Sequence, residues 1–595
     1  MDKSKITKSL AVFASVLLII IIGVASFAYF GTFNVNLVNN VAVNINSSSP
    51  GNATFTSNAT QLNLQVPAAN MSFTVANNTV AAKEDTAFLD VTLTGSQNLL
   101  TTCTYDIVYE YDAGSNVYGQ GTTTKTSGAT KEITIEVNGM NGNNHFATET
   151  NFDHANIQSY YDSTNKYYKL VEGAKIQSLG TEQSVRWKIT GRYYNLDVSQ
   201  AQLGGKNFTG KIYAISKGCT SEEGTTVKKG YETILANNGG AASMTTLTST
   251  DFATATTASD KGMYKAQDDL GTSYYFRGAV DNNWVKYGKY TKDTFFTVDS
   301  NSNGLLVDSC DGLELCVKIA SKGDDMYWRI IRINGDNSIR MIYTGTSAPD
   351  SNTKVVMTES TNNSGYIRAT SAGMSKFNQN RDSAEYVGYM YTIGEQHGTS
   401  KSSDIKTYLE DWYANYTNLN ATGTKITDQI FCNDRTASTS DVAYSTTNYT
   451  TLTSWNSTGT QYYYGAYGRI AKDNNPILTC AVDSDRFTVN KINSKGNSAL
   501  TYPIGLITID ELEMAGNNLS KRNTSYYLHT GANYWAGSPD VFNFGDSARG
   551  FAVFDDGNLN YVFVNYSSGA RGVVSLSSES KLLGSGTYND VYTVN

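Results

Sequence analysis

The chain has 595 residues and a formal net charge of −8. At roughly 150 residues per domain, that length allows about two to four domains, and the acidic balance argues against nucleic-acid binding, which needs a basic face to neutralise phosphates. Charged residues make up 17% and apolar residues 40%, while 41 tyrosines and many Asn, Thr, Ser and Gly fill the remainder, a texture typical of secreted β-rich proteins.

The N-terminus bears on location. Lys3, Lys5 and Lys8 precede an uncharged run from Ser9 to Phe30. As a helix this run spans about 33 Å at ~1.5 Å per residue, enough for a hydrocarbon core of ~30 Å. Lysines ahead of such a run keep that end in the cytoplasm, so the rest of the chain is expected outside. The small residues Ser26 and Ala28 also fit signal-peptidase cleavage. The reading taken is a signal-anchor over residues 1–33, giving a single-pass membrane protein with an extracellular C-terminal part. A cleaved signal and a secreted chain are the alternative.

From 34 to 220 the sequence reads as short strands. "FNVNLVNNVAVNIN", "QLNLQV", "AFLDVTLTG", "TYDIVYEYD", "EITIEVNG", "KYYKLVEG", "SVRWKITGRYYN" and "TGKIYAIS" alternate apolar and polar residues between Gly, Asn and Ser turns. Period two with such turns predicts a β-sandwich. Residues 221–270 are poor in apolar residues and read as a linker, with one short helix at "GYETILAN". From 271 aromatics return. "MYWRIIRINGDNSIRMIY" at 326–343 predicts a hairpin about Asn334-Gly335, apolar on both faces and so covered on both. Its isolated arginines are expected to pair with carboxylates or carbonyls. "SDIKTYLEDWYANY" has Ile405, Tyr408, Leu409 and Trp412 at helical spacing, capped by Ser402 or Ser403. "TYPIGLITIDELEMAG" reads as a strand then a helix, with Asp510 as a candidate N-cap. Asp556-Gly557 marks another hairpin.

All six cysteines follow the apolar run. Neighbourhood suggests Cys103–Cys219, Cys310–Cys316 and Cys432–Cys480, though six cysteines allow fifteen pairings. None forms a CxxC or zinc pattern.

The strand order and "ASFAYF" give the N-terminal half a weak resemblance to camelysin/TasA-type surface proteins of Gram-positive bacteria. In the C-terminal half, Trp328-Arg329, "SDIKTYLEDWY", "PIGLITIDEL", Trp535-x-x-Ser538-Pro539, Asp556-Gly557 and Arg571 come in order. This set resembles an uncharacterised bacterial surface domain family related to the C-type-lectin-like fold of formylglycine-generating, sulfatase-modifying enzymes. The family's proline after the arginine is replaced by Gly572, and Val591 stands where its closing pattern has proline. The resemblance implies a C-type-lectin-like α+β distal domain over 271–595. It does not imply oxidase activity, because the cysteines here fall as disulfide pairs and no copper-binding arrangement is visible.

Several stretches combine residue types that a binding or metal site uses. Tyr534, Trp535, Asp540, Asp546 and Arg571 are taken as the ligand-binding set, since rings beside polar groups suit saccharide clefts; core packing is the competing reading. Tyr462, Tyr463, Tyr464 and Trp455 are further aromatic candidates. His145, Glu149, Asp153 and His154 contain metal-ligand types but no HExxH. "DSNSNG" at 299–304 begins like a calcium loop, but Cys310 stands where its glutamate belongs. His397 and His529 have no motif context. No catalytic residue, metal or cofactor is assigned. The expected class is a mainly β, surface-anchored, non-catalytic binding or adhesion protein for glycan or a surface protein. A structural subunit of a surface fibre or matrix and a secreted hydrolase are the alternatives.

Overall fold

The computed structural model describes residues 43–45, 53–65, 83–95, 99–111, 132–139, 142–152, 157–194, 207–223, 228–357, 370–438, 462–519, 521–543 and 547–595. The apolar run 9–30 lies outside them. Among the described residues, no helix is long and apolar enough to cross a membrane. The chain is mainly β and divides into two compact units, one ending at Val227 and one spanning Lys228–Val594.

The first unit holds two antiparallel sheets. One runs, in spatial order, Val43–Ile45, Ala53–Ser57, Lys83–Thr94, Glu182–Tyr193, Ile133–Asn138, Thr150–Asn151. The other runs Thr60–Gln65, Asn207–Glu223, Leu99–Tyr111, Tyr167–Ser178, Asn143–Asn144. Alternation in the sequence becomes alternation in burial: Ala87, Leu89, Val91 and Leu93 are buried while their neighbours are half-exposed. The two inner faces meet around Trp187. Its indole donates to Tyr105 Oη at 3.0 Å, and Phe55 lies 5.7 Å from the Tyr105 ring. Gly139 is required here, because a Cβ would sit 2.0 Å from the Trp187 ring.

Three disulfides form, in the pairs that neighbourhood suggested: Cys103–Cys219, Cys310–Cys316 and Cys432–Cys480. Cys103 and Cys219 are directly opposed on adjacent strands. Disulfides persist in oxidising compartments, which places the folded chain in an extracellular or equivalent setting. Peptide mapping without reduction is therefore expected to return these three linked pairs. Free thiol at any of the six positions contradicts the pairing.

The second unit begins earlier than the sequence predicted. Residues 228–270, read as linker apart from one short helix, carry that helix at Gly230–Asn237 as expected and also the strand Lys261–Asp268, which pairs along its length with Gly271–Gly278. The helix is tied to the end of its own unit: Gly230 N donates to Ser580 O at 2.6 Å and Asn237 Nδ2 to Tyr592 Oη at 2.9 Å. Polar caps hold the residues after that helix, so apolar periodicity does not reveal them. Thr248 and Asp251 form a capping box, and Asp260 accepts from Thr257 N and Oγ1.

The central sheet of this unit orders Ile426–Thr427, Val573–Leu576, Ile339–Tyr343, Asp325–Ile333, Trp284–Lys289, Tyr592–Val594 and Leu582–Leu583. Every residue of Asp325–Ile333 and Ile339–Tyr343 is buried, so both faces of the predicted hairpin are covered. Its turn is wider than Asn334-Gly335 alone: Ile333 pairs with Ile339, and Asn337 takes the positive φ of 68°. Gly335 is needed for close approach, because a Cβ there would lie 2.2 Å from Gly271 N. A second sheet orders Met374–Lys376, Ser567–Gly569, Tyr534–Asn543, Ser547–Val553 and Leu559–Phe563. The Asp556-Gly557 hairpin joins its last two strands as predicted, with Gly557 at φ 78°.

The helix Asp404–Asp411 is capped by Ser403, whose side chain accepts from Lys406 N. The helix Ile509–Met514 is capped by Thr508 in a box with Glu511; Asp510, the predicted cap, sits inside it. "PIGLIT" forms no strand and contributes only an isolated bridge, Gly505 to Val573.

Candidate functional site

The residues chosen as a ligand site are packed inside the fold. Tyr534, Trp535, Asp540 and Arg571 are each at most 1% exposed. The Trp535 indole donates to Ser375 O at 2.8 Å and the Tyr534 hydroxyl to Leu528 O at 2.9 Å. The Arg571 guanidinium stacks 4.6 Å from the Tyr534 ring and donates to Tyr343 O, Leu528 O and Thr344 Oγ1. No face of these rings is open to a sugar, so they cement the core. Asp546 and Trp455 lie outside the described residues. Tyr463 and Tyr464 are buried, and their unit's Tyr467 stacks 4.1 Å from Tyr463.

The other motif residues also take structural partners. His145 stacks 4.4 Å from Tyr160, whereas Glu149 accepts from Thr134 Oγ1 at 2.6 Å and from Tyr194 Oη. Asp153 and His154 are outside the described residues. Asp299 accepts from Asn301 N and Asn303 N at 2.8 Å and from Asn303 Nδ2 at 3.0 Å, closing its own turn. His529 is buried. His397 Nδ1 lies 2.9 Å from Asp485 Oδ2, an imidazole held by a carboxylate as a general base is. That carboxylate is shared: Arg435 donates to it through its backbone N at 2.8 Å, Nε at 2.8 Å and Nη2 at 2.6 Å. The cluster therefore joins loops as an ion-pair hub.

Two arginines of the central hairpin, Arg332 and Arg340, line a cleft with Asp268, Asp434, Arg469, Asp510 and Glu511. Arg332 reaches Asp268 Oδ2 at 2.6 Å and Glu511 Oε1 at 2.9 Å, and Arg340 Nε lies 2.7 Å from the same Glu511 oxygen. Arg469 bridges Asp434 at 2.8 Å and Asp510 at 3.1 Å. Arg329 is fully buried against the Trp284 ring at 4.2 Å, where burial pushes its guanidinium down to about 9. The expected pairing of the hairpin arginines with carboxylates and carbonyls thus holds. The cleft's cavity volume is about 30 Å³, room for about two waters and too little for a sugar ring.

An accessible site lies elsewhere, at the edge strand Leu559–Phe563. Tyr561 is 36% exposed and Tyr566 54%. The Arg549 guanidinium sits 4.5 Å from the Tyr561 ring and 4.6 Å from Phe563, and Arg381 sits 4.5 Å from Phe563. Tyr566 meets Phe563 edge-on at 5.3 Å. Among the described residues no carboxylate forms an ion pair with Arg381 or Arg549. The acid that feels Arg549 is Asp540, pushed up to about 8 by its burial against the opposing pull of Arg549. Burial thus favours the uncharged form of Asp540, which weakens its pull on Arg549. Sequence reading passed over this cluster because Arg381 is remote in the chain and nothing in "NLNYVFVNYSS" marks which side of the strand stays open.

The architecture is thus a disulfide-bonded, mainly β pair of units with an arginine–aromatic surface on the second. Comparison with family models, with curated proteins and with solved structures finds no match.

Proposed function

We propose that the chain is a bacterial cell-surface protein, held by its N-terminal apolar segment, whose second unit is a C-type-lectin-like domain that binds glycan or a surface protein without catalysis. The half-exposed Arg381–Phe563–Arg549–Tyr561 surface, on a disulfide-bonded fold, carries this reading. Tyrosine rings and arginine guanidinium groups are among the side chains that binding surfaces use most. The apolar run after Lys3, Lys5 and Lys8 supports the anchor.

Cells producing the full-length chain test the reading. Brief protease treatment of intact cells is expected to release peptides from both units, and those cells are expected to adhere to immobilised glycans or surface proteins. Recovery of the chain in the cytoplasm with free thiols rejects it. Filaments forming with rising concentration, without adhesion, replace it with a fibre subunit.

A further inference from the structure

We infer that the surface formed by Arg381, Arg549, Tyr561 and Tyr566 is a binding site for acidic saccharides, in which the guanidinium groups take the sugar carboxylate and the tyrosine rings take its apolar face. This deepens the proposed function and rests on it.

The argument starts from what each group lacks. A guanidinium offers five N–H donors in a planar fork that matches a carboxylate. Arg332, Arg435 and Arg469 in this same unit have those donors satisfied by carboxylates at 2.6–3.1 Å. Arg381 and Arg549 are instead held by ring faces, which position the cation without using its in-plane donors. Arg549 Nε is itself buried with no acceptor among the described residues, so its Nη nitrogens are the donors left for a ligand. The supporting backbone is fixed: Ala548 N donates to Arg381 O at 2.8 Å, and Arg549 pairs directly with Phe563 across the sheet. Both arginines are thereby gathered around one ring from positions far apart in sequence.

The tyrosines supply the second half. An exposed aromatic ring offers apolar area at little entropic cost, and Tyr561 and Tyr566 flank Phe563, the ring both arginines share. A neutral sugar uses only the rings. A purely phosphate ligand uses only the cations. A uronic or sialic acid unit presents both a carboxylate and a C–H face, so it engages both halves together. The chain as a whole carries −8, so attraction of an anion to this spot is local.

The experiment uses the full-length chain, in detergent if residues 1–30 remain. Polygalacturonate and sialyllactose are titrated against it, with dextran as the neutral probe and polyphosphate as the non-saccharide anion. Binding of the two acidic saccharides is expected, with none to dextran. R381Q with R549Q is expected to weaken it about tenfold or more, the loss of a charge-assisted pair. Y561S with Y566S is expected to weaken it about tenfold; Tyr566 is too exposed for this to unfold the domain, and unchanged thermal unfolding verifies that. Binding unaffected by either double substitution overturns the site. Polyphosphate binding equally well, lost with the arginines but kept without the tyrosines, overturns the saccharide class. Adhesion to neutral glycan or protein without acidic binding rejects this inference and leaves the proposed function standing; no adhesion at all rejects both.

Discussion

Replacing Glu511 by glutamine is expected to cost the second unit about 3–5 kcal/mol, the usual penalty for stranding a buried charge. Glu511 is 2% exposed and serves two arginines with one oxygen: Arg332 Nε at 2.9 Å and Arg340 Nε at 2.7 Å. Its other oxygen accepts from Thr508 N at 3.0 Å, capping its own helix, and from Arg340 Nη2 at 3.3 Å. Glutamine keeps the cap and the shape but removes the charge. Arg332 retains Asp268, but Arg340 is left with oxygen contacts to neutral groups no shorter than 3.3 Å. Burial works against the Glu511 charge, yet Arg340 and Arg332 outweigh it and hold the carboxyl down at about 2. An unfolded glutamate titrates near ~4.3. Because the folded value is the lower one, the contribution is present in full above about pH 4.3. It is lost as pH falls towards 2, and amounts to about 3 kcal/mol. Five of the six tryptophans belong to the second unit, so denaturant unfolding followed by tryptophan fluorescence reports on it. The substituted chain is expected to unfold at lower denaturant at pH 7 and to lose less between pH 4 and pH 2. An unchanged midpoint at pH 7 refutes the hub.

The same helix shows what sequence reveals and what it hides. Alternation identified the strands of the first unit, because a half-buried strand writes its buried face into every second residue, as from Ala87 to Leu93. It also identified the 325–343 hairpin, where continuous apolar residues signal two covered faces. Helical spacing found Asp404–Asp411 from Ile405, Tyr408, Leu409 and Trp412. It did not separate Thr508 from Asp510 as a cap, since both are cap-forming types two residues apart. The site was harder. Trp535 and Tyr534 resemble sugar platforms in sequence, but an aromatic residue has the same letter whether its face meets solvent or core. The open rings, Tyr561 and Tyr566, sit on an edge strand whose partners Arg381 and Arg549 arrive by tertiary packing. Only the fold brings those residues together.

Two residues beyond Glu511, the opposite sign is expected: replacing Glu513 by methionine stabilises the second unit by about 2–4 kcal/mol at pH 8. Glu513 is fully buried, and neither carboxyl oxygen has a hydrogen-bond partner among the described residues. Arg277 is nearby but spends its donors on backbone, reaching Glu513 O at 2.7 Å and Met514 O at 3.1 Å. Burial pushes the carboxyl up to about 9; Asp510 adds to the rise and Arg277 opposes it. The folded chain therefore holds a proton that the unfolded chain releases above about pH 4.3. Stability falls with rising pH across that interval, and the loss levels off only above about 9. Methionine has comparable length, favours helix and brings no polar atom to be left unpaired; glutamine would leave amide donors buried without partners. The difference between wild type and Glu513→Met is thus expected to be small at pH 5 and to widen steadily to pH 9 in the same fluorescence assay. A variant less stable than wild type at pH 8, or a difference that does not change with pH, rejects the protonated carboxyl and requires an ionised Glu513 held by a cation. Glu511 and Glu513 share a helix and a charge type, and their opposite effects follow from two arginines that face one of them and carbonyl oxygens that engage the arginine beside the other.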